Sequence, residues 1–429
     1  MDSQGWDLCD ELEVPIDPFG SPGSVASPNG SRCLHGVVPR APFCIAEVNR
    51  IAELVSLLAI SSVAQAALPA PAAIDSRILA VMNATGSKGL AVAVIENGEV
   101  VYVHAFGVRN AKGDPLTSDT VMYGASLTKT VMAFVTLQLV DEGRIALDTP
   151  IADDLDKPLP SYGPDPVFPR KYGPYGDLAG DERWRTITPR MALTHSTGFA
   201  NFAFLEPDRK LHIHFDPGTR FAYSGEGFVL LQFAIEHGKK GMGLGVDVGD
   251  LAQKNIFDPL GMKRTSLKWR DDFATNYADG WDEKGRLEEH SRRSKVGAAG
   301  SMDTTITDFA KFTAALVRGW GLSPALHAEM IKPQVHITTK TMFPTLQPDL
   351  PADRQRRDLY AGLGVIVFDG PQGPGFHKGG HDDTTADTMV CVNSGRCGVV
   401  ILSNDVRSEA GFADVVDFIL GDSGMPYGW

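Results

Sequence analysis

Ser126 and Lys129 stand three residues apart in the stretch Tyr123-Gly-Ala-Ser-Leu-Thr-Lys-Thr-Val-Met-Ala-Phe134, the only Ser-x-x-Lys of the chain. If that stretch opens a helix, the two side chains lie one turn apart on one face. A serine hydroxyl is a weak nucleophile near neutral pH and needs a base within hydrogen-bond reach. A lysine one turn along serves as that base when burial or a neighbouring cation lowers its pKa. A serine at a helix start also lies close to unpaired backbone N–H groups. The chemistry this spacing permits is acyl transfer through serine. The plain alternative is coincidence, because Ser and Lys are common and a chain this long meets the pattern about once by chance.

The residues after Lys129 weigh against coincidence. Val131, Met132, Phe134, Val135, Leu137, Leu139 and Val140 are apolar nearly all round a helix, which predicts a buried central helix stopping near Gly143. A lysine at the mouth of such a helix is costly unless it is used. The runs on either side of Asn97-Gly98 predict a β-hairpin with a type I′ turn. Thr188 and Pro189 predict a helix start. Amphipathic helices are predicted over 305–317 and 409–420, and strands over 363–368, 388–392 and 398–403. Strands therefore flank a mostly helical, loop-rich middle. The predicted fold class is α/β of the α+β type: an antiparallel sheet built from both ends, flanked by helices, with an all-helical subdomain at about 150–290 inserted between the sheet-forming ends.

Composition is that of an ordinary globular protein, 43% hydrophobic and 22% charged. A net charge of −13 argues against nucleic acid and anionic membranes as partners. No apolar run after residue 66 is long enough to span a bilayer, and no P-loop or Rossmann glycine pattern points to a cofactor. Residues 1–47 are rich in Pro, Gly and Ser and read as a disordered leader. Arg50, the apolar stretch Leu54–Ile60 and the ending Ala64-Gln-Ala66 read as a signal peptide cleaved after Ala66. That reading makes 67–429 a periplasmic or secreted domain; the alternative is an amphipathic helix of a cytoplasmic protein. Of five cysteines, three fall in the leader. Cys391 and Cys397 flank Asn393-Ser394-Gly395, and both a cross-hairpin disulfide and two reduced thiols stay open. Oligomeric state is not legible.

Two further blocks follow the first: Pro217-Gly-Thr-Arg-Phe-Ala-Tyr223-Ser224-Gly225-Glu226, and Gly375-Phe-His377-Lys378-Gly379-Gly380-His381-Asp382-Asp383. The ordered set resembles the serine β-lactamases and penicillin-recognising hydrolases, in particular class C β-lactamases, related esterases and D-amino acid peptidases. The likeness spans about residues 75–420. Ile187-Thr-Pro-Arg-Met-Ala-Leu-Thr-His-Ser-Thr-Gly198, Asp258-Pro-Leu-Gly-Met262 and Ala299-Gly-Ser-Met-Asp-Thr-Thr305 add to it.

The resemblance implies roles. Ser126 would be the acylated nucleophile, and Lys129 with Tyr223 would take its proton. His377 would stand for the lysine of the family's Lys-Thr-Gly block. The amides of Ser126 and Gly380 would form the oxyanion hole, and Gly379 and Glu226 would face substrate. Two departures matter: Gly225 replaces the asparagine of Tyr-x-Asn, and a histidine replaces the lysine. Both favour a small ester or amide over a β-lactam. The expected activity is that of a serine hydrolase on esters, D-amino acid amides or peptides, or β-lactams, with esterase-like activity favoured. The alternative is a non-catalytic penicillin-binding-like protein that holds peptide or cell-wall fragments. A metal site at His377, His381, Asp382 and Asp383 is disfavoured, because these residues cluster in one Gly-rich loop with no ligands elsewhere. His195 reads as a packed or capping histidine.

Overall fold

The computed structural model describes residues 68–239, 247–392, 397–427 and 429. The leader, the signal-peptide reading and the loop 393–396 lie outside the described residues.

Helix α1 (Pro71–Thr85) leads into β1 (Gly89–Glu96) and β2 (Glu99–Gly107). Asn97 and Gly98 join them with φ of 53° and 78°, the two positive values a type I′ turn requires. Strand β3 (Met122–Tyr123) precedes one 3-10 turn, Ala125–Leu127, and then α2 (Thr128–Asp141). Next come α3 (Pro189–Leu193), α4 (Gly225–His237) and α5 (Val248–Ala252). The short strands β4 (Gly280–Trp281), β5 (Leu287–Glu288) and β6 (Asp303–Thr304) precede α6 (Ile306–Val317) and α7 (Pro324–Met330). The chain closes with β7 (Val335–His336), β8 (Leu359–Ala361), β9 (Ile366–Gly370), β10 (Gly373–His381), β11 (Ala386–Val392), β12 (Cys397–Ser403) and α8 (Phe412–Leu420).

The main sheet runs β2-β1-β12-β11-β10-β9-β8-β7, antiparallel throughout. Strand β1 lies between its hairpin partner and β12, so both ends of the chain build one sheet, as predicted. Ala91, Ala93 and Ile95 face a core shared with Val131 and Phe134 of α2 and Phe309 and Phe312 of α6. Leu90, Val92 and Val94 face a second core with Ile74 and Ile78 of α1 and Val415 and Ile419 of α8. Helices on both faces explain why β1 reads as an unbroken apolar run. A third core, around Trp184, Phe199 and Phe233, fills the loop-rich middle. Helix α2 is buried almost all round, and Gly143 follows it at φ 69°. No helix among the described residues is long and apolar enough to cross a membrane.

One expectation is corrected and one open alternative is decided. The block read as a Gly-rich loop is the nine-residue strand β10. Its glycines answer to packing: a β-carbon at Gly375 would stand 2.5 Å from the Phe368 ring, and one at Gly380 2.9 Å from the Gly124 carbonyl. The disulfide geometry also fails. The register sets Cys391 opposite Gly398 and Cys397 opposite Val392. One thiol faces the α2 core and the other the α1/α8 core, and no disulfide joins them.

Candidate active site

The turn that carries Ser126 is pinned from outside. Gly124 N–H donates to the Met302 carbonyl at 2.8 Å, and Met302 N–H donates to Thr128 Oγ1 at 3.0 Å. Thr128 Oγ1 in turn donates to the Ala125 carbonyl at 2.6 Å. Ala125 is held at φ 40°, where a β-carbon costs about 1 kcal/mol or more. Ser126 keeps partial exposure while its neighbours are buried.

Lys129 begins α2 one turn on, with its Nζ 3.0 Å from Ser126 Oγ and 2.5 Å from the Ala299 carbonyl. It is 1% exposed. Burial pushes its pKa well down, and the nearby Lys378 charge pushes the same way. The Ser-x-x-Lys stretch thus makes the contact its spacing predicts.

Tyr223 ends the strand-like lead into α4. Ser224 caps that helix, its Oγ accepting from Gly227 N–H at 3.0 Å. His195, at φ 55°, stacks on the Tyr223 ring with centroids 4.3 Å apart and takes the Ser224 N–H on Nδ1 at 3.1 Å. It is a packed histidine kept neutral by burial, then by Lys129 and Lys378. Thr188 caps the short helix before it, accepting from Met191 N–H at 3.2 Å. Burial raises the Tyr223 pKa, against the hydrogen bond from Ser126. Its phenol therefore keeps its proton near neutral pH.

The third block enters the site differently from the expectation. Lys378, not His377, reaches Tyr223: its Nζ donates to Tyr223 Oη at 3.1 Å and to the Gly379 carbonyl at 2.8 Å. Burial lowers its pKa to about 7. Along β10, Phe376 and Lys378 sit opposite Cys391 and Met389, both in the α2 core. His377 sits opposite Val390 and Ile366, both in the α1/α8 core. Its ring nitrogens have no hydrogen-bond partner among the described residues, and burial with the Lys378 charge lowers its pKa to about 3. Reading the block as a loop hid this alternation. Read as a strand, its period of two ties Lys378 to the face of Phe376.

The ladder phase also displaces Gly380. Asp382 N–H donates to the Thr385 carbonyl, so even-numbered amides of this strand face β11. The Gly362–Val365 and Asp369–Asp358 bonds turn Ile366 and Phe368 of β9 toward β10, which assigns the odd-numbered amides to the other side. Gly380 N–H is therefore in the ladder. The amides of Gly379 and His381 point past the end of β9, where no strand takes them.

Glu226 faces away from the nucleophile. Its Oε1 accepts from Ala203 N–H at 2.9 Å, and Oε2 is buried without a partner. Burial raises its pKa to about 7, which the Ala203 bond only partly offsets. It ties α4 to the loop above rather than lining a cleft. At Gly225 the family's amide side chain has no room, because a β-carbon would meet the Phe202 ring at 2.5 Å.

Comparison with known proteins accords with this arrangement. A family model described as Beta-lactamase matches residues 74–420. The chain is 25% identical over 313 residues to an unguisins hydrolase of Aspergillus campestris, covering 66% of this chain and 54% of the relative. It is 30% identical over 187 residues to a D-aminopeptidase of Brucella ovis, covering 42% of this chain and 33% of the relative. Among solved structures, the D-alanine carboxypeptidase AmpC from Burkholderia cenocepacia gives a TM-score of 0.61 at 17% identity, over 81% of this chain and 97% of that one. The chain spans about half or less of the length of these two curated relatives.

Proposed function

The chain belongs to the beta-lactamase family, and from that premise we propose that it is a serine hydrolase working through an acyl-enzyme on Ser126. The observation that carries this is the 3.0 Å approach of a buried lysine, with no carboxylate partner, to a part-exposed serine. Lys129 is the better base of the two candidates: burial shifts its amine toward the neutral form, whereas burial favours the protonated Tyr223 phenol.

In acylation Ser126 Oγ bonds to the substrate carbonyl carbon and its proton passes to Lys129 Nζ. The oxyanion is met by the amide of Ser126. The second donor is the residue after the Lys-Gly-Gly block, so the shift of the block by one residue moves that role from Gly380 to His381. When the carbonyl–leaving-group bond breaks, the proton returns through Tyr223 to the leaving nitrogen or oxygen. Water repeats the sequence, breaking the acyl–Ser126 bond and restoring the serine proton. Lys378 holds the Tyr223 hydroxyl and adds a cation beside the nucleophile.

A cation at this place removes one of the two arguments against a β-lactam and leaves the choice between ester and amide to other grounds. Amide substrates, in the form of D-amino acid amides or short peptides, move ahead of simple esters, in keeping with the peptide-directed names of the D-aminopeptidase and D-alanine carboxypeptidase relatives. The test is intact mass after a fluorophosphonate, with Ser126→Ala beside the wild type. Turnover is then compared on a D-alanine p-nitroanilide, a p-nitrophenyl ester and a chromogenic cephalosporin. One adduct, lost in Ser126→Ala, is the expected result. A folded protein that takes no adduct would instead be a binding protein on the same scaffold.

A further inference from the structure

We infer that Gln232 is a positioning residue for the reaction: it fixes the carbonyl that aims Lys129 at Ser126. The inference rests on the serine-hydrolase reading of that pair and adds a residue outside all three motif blocks.

Gln232 lies on α4 and is fully buried. Its Oε1 accepts from Ala298 N–H at 2.9 Å, and its Nε2 donates to the Val296 carbonyl at 3.2 Å. Only a side chain with a donor and an acceptor together can satisfy both backbone groups. The residue after Ala298 is Ala299, whose carbonyl is the one Lys129 Nζ meets at 2.5 Å. Ser301 Oγ closes the same turn by accepting from Gly297 N–H at 2.9 Å. The Gln232 amide is itself oriented, because Nε2 also donates to Glu236 Oε1 at 3.1 Å. Glu236 is anchored by Val248 N–H at 3.0 Å, by Lys171 at 2.8 Å and by the Tyr172 hydroxyl.

The consequence is a division of labour along one helix. The N-terminal end of α4 sets Tyr223 through the Ser224 cap, and Gln232, two turns on, sets the partner of Lys129. A neutral amine that donates one N–H to a fixed carbonyl restricts its lone pair to two positions, and Ser126 Oγ lies within reach at 3.0 Å. The other groups around Lys129 cannot do this. Tyr223 and Phe228 offer ring faces at 5.1 and 5.8 Å, and Lys378 acts on it only through charge. Loosening the 296–299 turn would misdirect the base, and misplacement by about 1 Å can cost about 100-fold in rate.

The experiment compares wild type, Gln232→Leu and Gln232→Glu. It reads the fluorophosphonate acylation rate, kcat and KM on a p-nitrophenyl ester, and the pH dependence of kcat/KM. Gln232→Leu, which keeps size but loses both bonds, is expected to lower kcat about 10-fold or more with KM within about twofold. The acidic limb of its profile should move to higher pH, because a loosened site readmits water to Lys129. Gln232→Glu keeps the acceptor for Ala298 N–H but sets a carboxylate oxygen against Glu236 Oε1 and the Val296 carbonyl, so it too should lose activity. A folded Gln232→Leu with unchanged kcat and pH profile would overturn the inference. If that variant is insoluble, an unchanged Gln232→Glu profile would do the same. Retention of the adduct by Ser126→Ala would sink the hydrolase reading itself, which is a separate failure.

Discussion

Lys378 Nζ lies 3.1 Å from the Tyr223 hydroxyl, whereas His377, its neighbour in the chain, faces the core on the other side of the sheet. The two substitutions should therefore separate. Lys378→Ala is expected to lower kcat/KM by about 100-fold. His377→Leu replaces a ring whose two nitrogens have no partner, so activity should stay within about threefold of wild type and stability should hold or rise. Steady-state kinetics on both variants decides it: a larger loss from His377→Leu would return the site role to the histidine.

Lys378 also predicts a conflict between stability and function. Its pKa is about 7 in the folded chain against an ordinary 10.5. Between those values the unfolded chain binds the extra proton, so the lysine weakens the fold as pH falls from about 10.5 to 7, and the penalty is constant below. Lys378→Met should remove that penalty. The expected gain is on the order of a few kcal/mol at pH 6 and vanishes near pH 11. Chemical denaturation across that range measures it; a variant no more stable at pH 6 than wild type would show the lysine to be well solvated.

Glu226 carries the opposite sign. Its pKa is raised from 4.5 to about 7, so the folded chain holds a proton that the unfolded chain releases between those values. Stability drawn from this group is lost as pH rises through that window. Glu226→Gln should raise Tm at pH 8 and change it little at pH 4, with kcat and KM within about threefold of wild type. A large rise in KM would place Glu226 against substrate after all.

Phe343 packs edge-on against Tyr223 with centroids 5.3 Å apart, yet stays 51% exposed. If Tyr223 relays the proton as proposed, an exposed aromatic beside it is placed to touch substrate. Phe343→Ala should change KM for bulky acyl groups by about 10-fold, while fluorophosphonate acylation of Ser126 changes less than about threefold. Equal effects on all substrates would make it a packing residue only.

Cys391 and Cys397 supply a simple check on the register. Reduction should leave Tm unchanged, and denaturing alkylation without reductant should label both. A protected pair would contradict the register of β11 and β12.

The sequence by itself determined what depends on near neighbours. The Ser126–Lys129 contact needs one helical turn, the Asn97-Gly98 hairpin needs two residues at positive φ, and α2 announces its burial by apolar residues on every side. The sheet assembled from both ends followed from strand patterns separated by helical ones. What the sequence could not give was parity. A strand places neighbours on opposite faces, so a one-residue ambiguity exchanges Lys378 with His377 and moves the proposed oxyanion amide from Gly380 to His381. That choice is made by the ladders with β9 and β11, which lie outside the motif. The same rule parts Cys391 from Cys397. Glu226 points to Ala203 and Gln232 to Ala298, partners about 20 and 66 residues away, and only the folded chain brings them within hydrogen-bond reach.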